Sequence, residues 1–369
     1  MAKLSIHLVA YNGQKYLPFA LKSLQEQSFS DFSVLIIDNG SHDDSVKVVD
    51  DFLANPKNKI LSAVTKYVKH AKNFGFAGAH NLALHWSQSE YVFLMNQDVT
   101  LDRDYLKEIM NFFDNHQEAA DATGAIYQWD FPTAETTENS EKIALTDLGK
   151  TDRIDSLGLK ILANHQVIEL LPQHLSTQPW EIQPQKIFGA SGALPVYRRR
   201  ALEECKVPMF NHIPKLFKNQ KQENLYEYFD NDFFCYKEDV DLAYRFVILG
   251  QQCYLVPKAK SWHDRSAAAT GNLIRDRRRK SKFINYHSYK NHIYFLIKNV
   301  PPKIWYKHWP KILGYEFFKF GYLLIFEPKT LWQAWSEIIK NWPKMRLKRK
   351  YLQTKAGPLA WQTIEPWIR

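Results

Sequence analysis

Cysteine is scarce in this chain of 369 residues. The three present, Cys205, Cys235 and Cys253, are odd in number and have no CxxC spacing. That excludes a disulfide framework and a thiolate zinc site, and it fits isolated thiols in a reducing compartment. Long hydrophobic runs are also missing: Phe317-Phe318 and Gly321 to Phe326 are short and separated by Lys319. A spanning helix needs about 20 apolar residues, so none is expected. Met1 leads straight into Leu4-Ser5-Ile6-His7-Leu8-Val9, which reads as a strand, with no basic segment, apolar segment and cleavage site of a secretory leader. No internal repeat is present.

What remains is globular in composition, with 45% hydrophobic and 24% charged residues, enough for one large domain or two ordinary ones. The charge is unevenly spread. Residues 271–369 hold 21 Lys and Arg against 5 Asp and Glu, a balance of +16, whereas residues 1–270 hold 28 against 34, a balance of −6. An acidic body with a basic tail points to an anionic partner for the tail. Seven of the 11 Trp lie beyond residue 270, and Leu331, Trp335, Ile338 and Trp342 recur at helical spacing. With Lys340, Lys344, Arg346, Lys348, Arg349 and Lys350 beside them, they predict an amphipathic helix on an anionic membrane surface. Pro343 is expected to split it in two. Nucleic acid is the rival partner, through Arg275 to Lys282, but the acidic body and the lack of a nucleic-acid motif argue against it.

Short apolar runs at 4–10, 33–38 and 91–96 alternate with helical patterns at 15–27, 44–54 and 78–88. This alternation predicts a parallel, doubly wound sheet. Residues 130–153 read as a loop or excursion, 155–171 and 186–197 as strand-like, and 238–250 as a helix stopped by Gly250.

Four polar clusters fall where such a sheet binds ligands, at the carboxyl ends of its strands. Asp38-Asn39-Gly40-Ser41 follows the second strand, and its carboxylate can accept a ring N–H from a nucleobase. Asn73 to Asn81 carries Gly75 and Gly78 at a helix start, which suits a backbone approaching phosphate, although it is not a G-x-G-x-x-G fingerprint. Asn96-Gln97-Asp98 puts a carboxylate where a hard divalent cation could use it. Lys237-Glu238-Asp239-Val240-Asp241 opens an amphipathic helix after an aromatic stretch, a setting for a general base. His263, after Trp262, could complete a metal site. Each cluster alone is also compatible with an ordinary turn or an acidic helix start.

Their order is the stronger signal. Val9 to Asn12, Ile36 to Ser41, Asn73 to Asn81, Leu94 to Val99, Ile154 to Leu159, Phe188 to Ala193, Tyr236 to Leu242 and Trp262-His263 follow one another as in the family-2 glycosyltransferases. The series most closely resembles the bacterial rhamnosyltransferase-like branch. Tyr289 to His292 and Lys298-Asn299 resemble that branch's post-catalytic helix. The resemblance implies a GT-A fold over residues 1–270, with a nucleotide-binding half at about 1–125 and an acceptor half at about 126–270. A basic, aromatic helical extension would follow at 271–369.

The same resemblance implies an inverting transfer from a dTDP- or UDP-linked sugar, rhamnose being the one the branch suggests, to a glycan or lipid-linked acceptor. Asp239 would be the base, and Asp98 and His263 would hold Mg²⁺ or Mn²⁺. Tyr11, Asn12, Asp38, Asn39, Gly75, Phe76, Gly78, Asn81 and Asn96 would face the donor. Ser191, Gly192, Glu238 and Asp241 would face the acceptor. Asn96 stands where relatives carry the first acid of D-x-D, and His80 where many carry an Arg near the diphosphate. The implied place is the cytoplasm, on the inner face of the cell membrane. The alternative is a non-catalytic nucleotide-sugar or polysaccharide-binding protein of the same fold, which would need no base.

Overall fold

The computed structural model describes residues 1–131, 145–175, 179–210, 225–264 and 281–368. Its first part alternates as the pattern predicts: β1 (Leu4–Ala10), α1 (Leu17–Gln25), β2 (Phe32–Asp38), α2 (Ser45–Ala54), α3 (Lys59–Ala63), β3 (Thr65–Lys69), α4 (Gly75–Trp86) and β4 (Tyr91–Asn96). β5 (Val99–Leu101), α5 (Tyr105–Asn115) and β6 (Ala119–Trp129) follow, then β7 (Lys150–Ser156), β8 (Leu159–Ile161), β9 (Val167–Glu169), β10 (Gln185–Ile187) and β11 (Val196–Arg198). After α6 (Arg199–Cys205), β12 (Val207–Pro208) and β13 (Tyr226–Glu227) come α7 (Glu238–Ile248) and β14 (Gln252–His263).

The main sheet runs β10-β14-β6-β11-β4-β1-β2-β3. Its centre is mostly parallel: β4, β1, β2 and β3 form one parallel block, β6 and β14 another, and antiparallel β11 joins them. Helices cover both faces, so β1, β2 and β4 can be apolar almost throughout. The expected seam at 125/126 falls inside β6, and the one at 270/271 lies outside the described residues, as does most of Arg275 to Lys282.

Four helices close the chain: α8 (Lys282–Asn299), α9 (Pro302–Phe326), α10 (Pro328–Ala356) and α11 (Ala360–Ile364). Two expectations about them are corrected. Pro343 does not split the tail; α10 passes through it unbroken. An internal proline costs roughly 3 kcal/mol, but Ile338 and Met345 on either side of it are fully buried in the helical core, and that packing holds the helix together. The stripe Leu331, Trp335, Ile338 and Trp342 is not a lipid-facing surface either. Leu331 and Ile338 are buried and Trp335 packs against the same core, leaving Trp342 the one residue of the stripe that is exposed.

The basic residues of α10 are divided in the same way. Lys344 and Lys348 turn inward to carboxylates of the body. Lys348 Nζ lies 2.8 Å from Glu227, 2.6 Å from Asp230 and 3.0 Å from Asp232, and Lys344 lies 2.6 Å from Asp232. Lys298 of α8 joins the same network through Asp230 (2.6 Å) and Asp241 (2.7 Å). Among the described residues no helix is long and apolar enough to cross a membrane.

Candidate active site

The in-register pairs Ala10↔Asp38 and Val9↔Asn96 bring the ends of β1, β2 and β4 to one edge of the sheet. The loop after β1 is locked there. Tyr11 exchanges both of its backbone hydrogen bonds with the Gln97 side chain, at 2.9 and 3.0 Å. Asn12, at φ 49°, donates its N–H to Ser41 Oγ and accepts the His42 N–H at its side-chain oxygen. Asn12 therefore shapes the loop, while the Tyr11 ring stays 40% exposed at the edge.

Asp38 is buried. Its Oδ2 accepts the Ser41 N–H at 3.2 Å, and its Oδ1 has no partner. Tyr67 Oη and His70 Nε2 are likewise buried without partners. Burial, and then the Asp38 charge, raise the Tyr67 pKa; burial lowers that of His70 against the pull of Asp38. Unsatisfied buried polar atoms cost about 1–3 kcal/mol each, so three around one strand end mark a place for a hydrogen-bonding ligand. Tyr67 and His70 sit in a plain strand and its exit, with no motif to reveal them in the sequence.

Several residues expected at the donor are engaged inside the protein. The Asn39 amide donates to Asn73 Oδ1 and the Gly75 carbonyl and accepts the Phe74 N–H. The Asn81 amide donates to the Phe229 carbonyl and Asn231 Oδ1 and accepts from the Tyr228 and Phe229 N–H groups. Neither has a free polar atom for a nucleotide. Gly75 (φ 71°) and Gly78 do allow a close approach, but of the chain itself. A Cβ on Gly75 would strike Phe234, whose carbonyl also caps the Ala77 N–H at 3.1 Å, and one on Gly78 would meet Phe74. Phe76 packs on His80. His80 is buried, which lowers its pKa to about 3 and keeps it neutral, so it cannot replace an arginine at a diphosphate.

Asp98 and His263 do come together, because β5 pairs with β14 through Val99↔His263. His263 Nε2 lies 3.5 Å from Asp98 Oδ2, and Nδ1 lies 3.1 Å from Asp155 Oδ2. Burial disfavours the imidazolium, but the hydrogen bonds and charges of Asp155 and Asp98 prevail and raise its pKa to about 9. A carboxylate behind the imidazole and a second carboxylate before it fit a metal site, since metal-bound histidines are usually oriented in this way. Among the described residues no group of three or more His, Cys, Asp or Glu is arranged to hold an ion. The pair suits a cation that completes its shell with phosphate oxygens and water. Asp155, within Ile154 to Leu159, had no role assigned from the sequence.

Asp239, the second residue of α7, is half-buried. Its Oδ2 accepts the Gly192 N–H at 3.0 Å and its Oδ1 the Val240 N–H at 2.7 Å. A Cβ on Gly192 would sit 3.1 Å from Asp239 Oδ2, so glycine is what permits this approach. Next to Gly192, the Ala193 carbonyl accepts the Asn96 N–H at 3.0 Å. The Ser191-Gly192 turn thus joins Asp239 to the strand end that carries Asp98, and Asp121 braces it through the Ala190 N–H. Burial, and then the Asp239 charge, raise the Glu238 pKa to about 8. Asp241 is not available to an acceptor. It is fully buried, with Oδ2 on Arg245 and Oδ1 on Lys298 and Asn299.

Just before Asp239 the chain is strained. Phe234 (φ 64°, ψ −64°), Tyr236 (φ 68°) and Lys237 (φ 71°) all lie at positive φ, a region costing roughly 1–3 kcal/mol per non-glycine residue. Phe234 forms the rare, strained type of γ-turn, closed by the Cys235 N–H on the Phe233 carbonyl at 2.8 Å. The Asn291 amide of α8 fastens the turn, donating to the carbonyls of Phe233, Cys235 and Tyr236 at 2.8, 2.8 and 2.7 Å.

Known proteins share this arrangement of strands. The sequence profile of glycosyl transferase family 2 matches residues 5–206. The chain belongs to that family. The poly(ribitol-phosphate) beta-N-acetylglucosaminyltransferase TarS of Staphylococcus aureus is 28% identical over 118 residues, covering 31% of this chain and 20% of TarS. The GalNAc(5)-diNAcBac-PP-undecaprenol beta-1,3-glucosyltransferase of Campylobacter jejuni is 30% identical over 110 residues, 30% of this chain and 34% of that one. The chain thus spans only about 20–34% of the length of these curated relatives. Likeness at the level of fold extends further: the structure of GalNAc-T7 with UDP, GalNAc and Mn²⁺ superposes with a TM-score of 0.53 at 12% identity, over 81% of this family-2 chain and 48% of that one.

Proposed function

We propose that this family-2 chain is an inverting glycosyltransferase that moves a sugar from a UDP- or dTDP-linked donor to a hydroxyl of a cell-surface glycan or lipid-linked acceptor. The observation that carries the reading is the link between its two halves. Asp239 is held by the Gly192 N–H, and the adjoining Ala193 carbonyl is held by Asn96, two residues before Asp98. A base and a metal-side carboxylate are therefore tied to one turn. Asp239 takes the proton of the acceptor hydroxyl as its oxygen bonds to the anomeric carbon; the bond from that carbon to the diphosphate oxygen breaks, and the nucleoside diphosphate leaves with the electron pair. Asp98 and His263 would hold Mg²⁺ or Mn²⁺, which would supply positive charge against the departing diphosphate. Asp38, with Tyr67 and His70 near it, would read the base, and Tyr11 would cover it.

The names of the relatives support a nucleotide-sugar donor and a surface polymer or polyprenyl-linked acceptor. Rhamnose, as the motif resemblance suggests, is the first sugar to try. A peripheral seat on the inner membrane face is supported by exposed aromatic and apolar residues of α9 and by the outward-facing basic residues of α10. The test is a donor screen with purified protein and Mn²⁺ or Mg²⁺, reading nucleoside diphosphate release, with Asp239→Asn alongside. The expected result is donor-dependent release that falls by about 10²–10⁴-fold in the variant while donor binding persists. Donor binding without any release, in wild type and variant alike, would instead identify a binding protein.

A further inference from the structure

A cavity of about 720 Å³ lies between α8, α9 and α10, and no residue of the sheet lines it. It has the size of a small-molecule site, for which about 300–1,000 Å³ is usual. Its walls are apolar, built from Ile293 and Ile297 of α8, Ile312 and Phe320 of α9, and Trp335 of α10. Arg346 and Arg349 also line it. Arg346 is exposed and has no ion pair among the described residues. Arg349 is fixed in place: Nη1 donates to the Ile297 carbonyl at 2.8 Å, and Nε and Nη2 donate to the Gln353 amide oxygen at 2.8 and 3.1 Å. Burial, and secondarily the Arg346 charge, depress its pKa. The one carboxylate of the lining, Glu316, is already paired with Lys319 at 2.9 Å and His292 at 3.1 Å, so the unpaired charge of Arg346 at the rim is stabilised by an incoming anion. The indole N–H of Trp335 is also buried without a partner.

The cavity continues into an exposed surface. Tyr306, Trp309, Leu313, Phe317 and Leu324 fall within one face of α9 at intervals of three, four and seven residues, and each is 47% exposed or more. Leu313 and Phe317 belong to both this face and the cavity wall. An apolar stripe on a helix in a basic region suits the interface of an anionic bilayer, and a cavity opening through that stripe is reached from the lipid side.

We propose that this cavity binds the hydrocarbon chain of a single-chain, phosphate-headed prenyl lipid, with Arg346 and Arg349 at its head. Charge complementarity at the rim and continuity with the apolar stripe select this occupant. The choice of a single chain rests on the proposed function, in which the acceptor is carried on one lipid chain.

The test is calorimetric titration of the full chain with geranylgeranyl phosphate, geranylgeraniol and inorganic phosphate, without donor sugar. Saturable one-to-one binding of the prenyl phosphate is expected. Ile293→Trp, which fills the cavity, should weaken it by at least tenfold. Arg346→Glu, at an exposed position where folding is secure, should weaken the prenyl phosphate about tenfold and leave the alcohol unchanged. Equal binding by Arg346→Glu overturns the proposal, as does inorganic phosphate binding as tightly as the lipid, which would mean an anion site only. A two-chain phosphatidylglycerol that competes equally also overturns it, and so does sedimentation as a dimer that the lipid does not dissociate, which would put a second copy in the groove. Because no donor is present, the two readings fail separately. Loss of lipid binding with intact sugar transfer to a soluble acceptor removes this site alone; lipid binding without sugar transfer to that lipid supports the site and removes the acceptor reading.

Discussion

Replacing Asn291 with Ala should slow turnover without touching any group that meets substrate. Asn291 donates to three carbonyls of the turn that contains Phe234, Tyr236 and Lys237. The Asn291 amide has two N–H groups shared among the three carbonyls, and a net hydrogen bond is worth about 1 kcal/mol, so the substitution removes about 2 kcal/mol from a turn whose positive-φ residues cost roughly 1–3 kcal/mol each. The turn then has reason to relax, and Asp239, two residues past Lys237, moves with it. At 1.4 kcal/mol per factor of ten, amide exchange across 233–239 should speed up by roughly 30-fold, with the sheet unchanged. The kcat for sugar transfer should fall while donor affinity stays, because Asp38 and Asp98 stand on other strands. Normal kcat together with faster exchange would refute the idea that the strained turn aims the base. Unchanged exchange would refute the hydrogen-bond accounting itself.

Other outcomes follow from the same geometry. Asp155→Asn should lower Mn²⁺ affinity by about 10–100-fold, the usual effect of removing a residue that orients a ligand, read by calorimetry of the metal alone. Glu238→Gln tests a pH dependence. The native pKa of about 8 lies above the ordinary value for glutamate, so the native state keeps a proton that the unfolded chain has already released. The resulting penalty is absent below about pH 4.5, grows as pH rises and is complete above about 8. Melting curves of wild type and variant should therefore diverge in favour of Glu238→Gln between pH 5 and 8, and parallel curves would count against it. Lys348→Met should destabilise the fold by about 3–5 kcal/mol, since it leaves Glu227, Asp230 and Asp232 with one buried cation fewer, measured as a lower denaturant midpoint.

The parallel half of the sheet was legible because β1, β2 and β4 are buried runs of Val, Ile and Leu, with turn residues after them. The strand-like stretches 155–171 and 186–197 hold β8, β9 and most of β10 and β11, but β6 and β14 were not legible. β6 reads Ala-Ala-Asp-Ala-Thr-Gly-Ala, small residues with little strand preference that fit only because both faces are covered. β14 contains Pro257, which argues against a strand but lies within the register shift between Val256 and Lys260, where no ladder bond is needed. At the candidate site, the motifs point to Asp98, His263 and Asp239, and the fold brings His263 to 3.5 Å from Asp98 and Asp239 to the Gly192 N–H. Asn39, Asn81 and Asp241 stand in the same motifs, and only their hydrogen-bond partners show that they hold the site together rather than line it. The charge asymmetry was real, yet composition could not tell outward-facing Lys350 from Lys348, which is buried against Asp230.

That last contact spans 118 residues, and it sets an order on the birth of the protein. When Asp230 and Asp241 leave the ribosome, the lysines that neutralise them have not been made. At about 5–20 residues per second, Lys348 arrives on the order of ten seconds after Asp230. Throughout that interval the acidic segment that precedes Asp239 has no dry place to go, and the nascent chain must keep it in water. The strands β1 to β4 can assemble early, but the buried charges beside α7 are matched only when the end of the chain emerges, so a ribosome that stops short of residue 348 releases a chain whose Asp230 lacks the Lys348 partner.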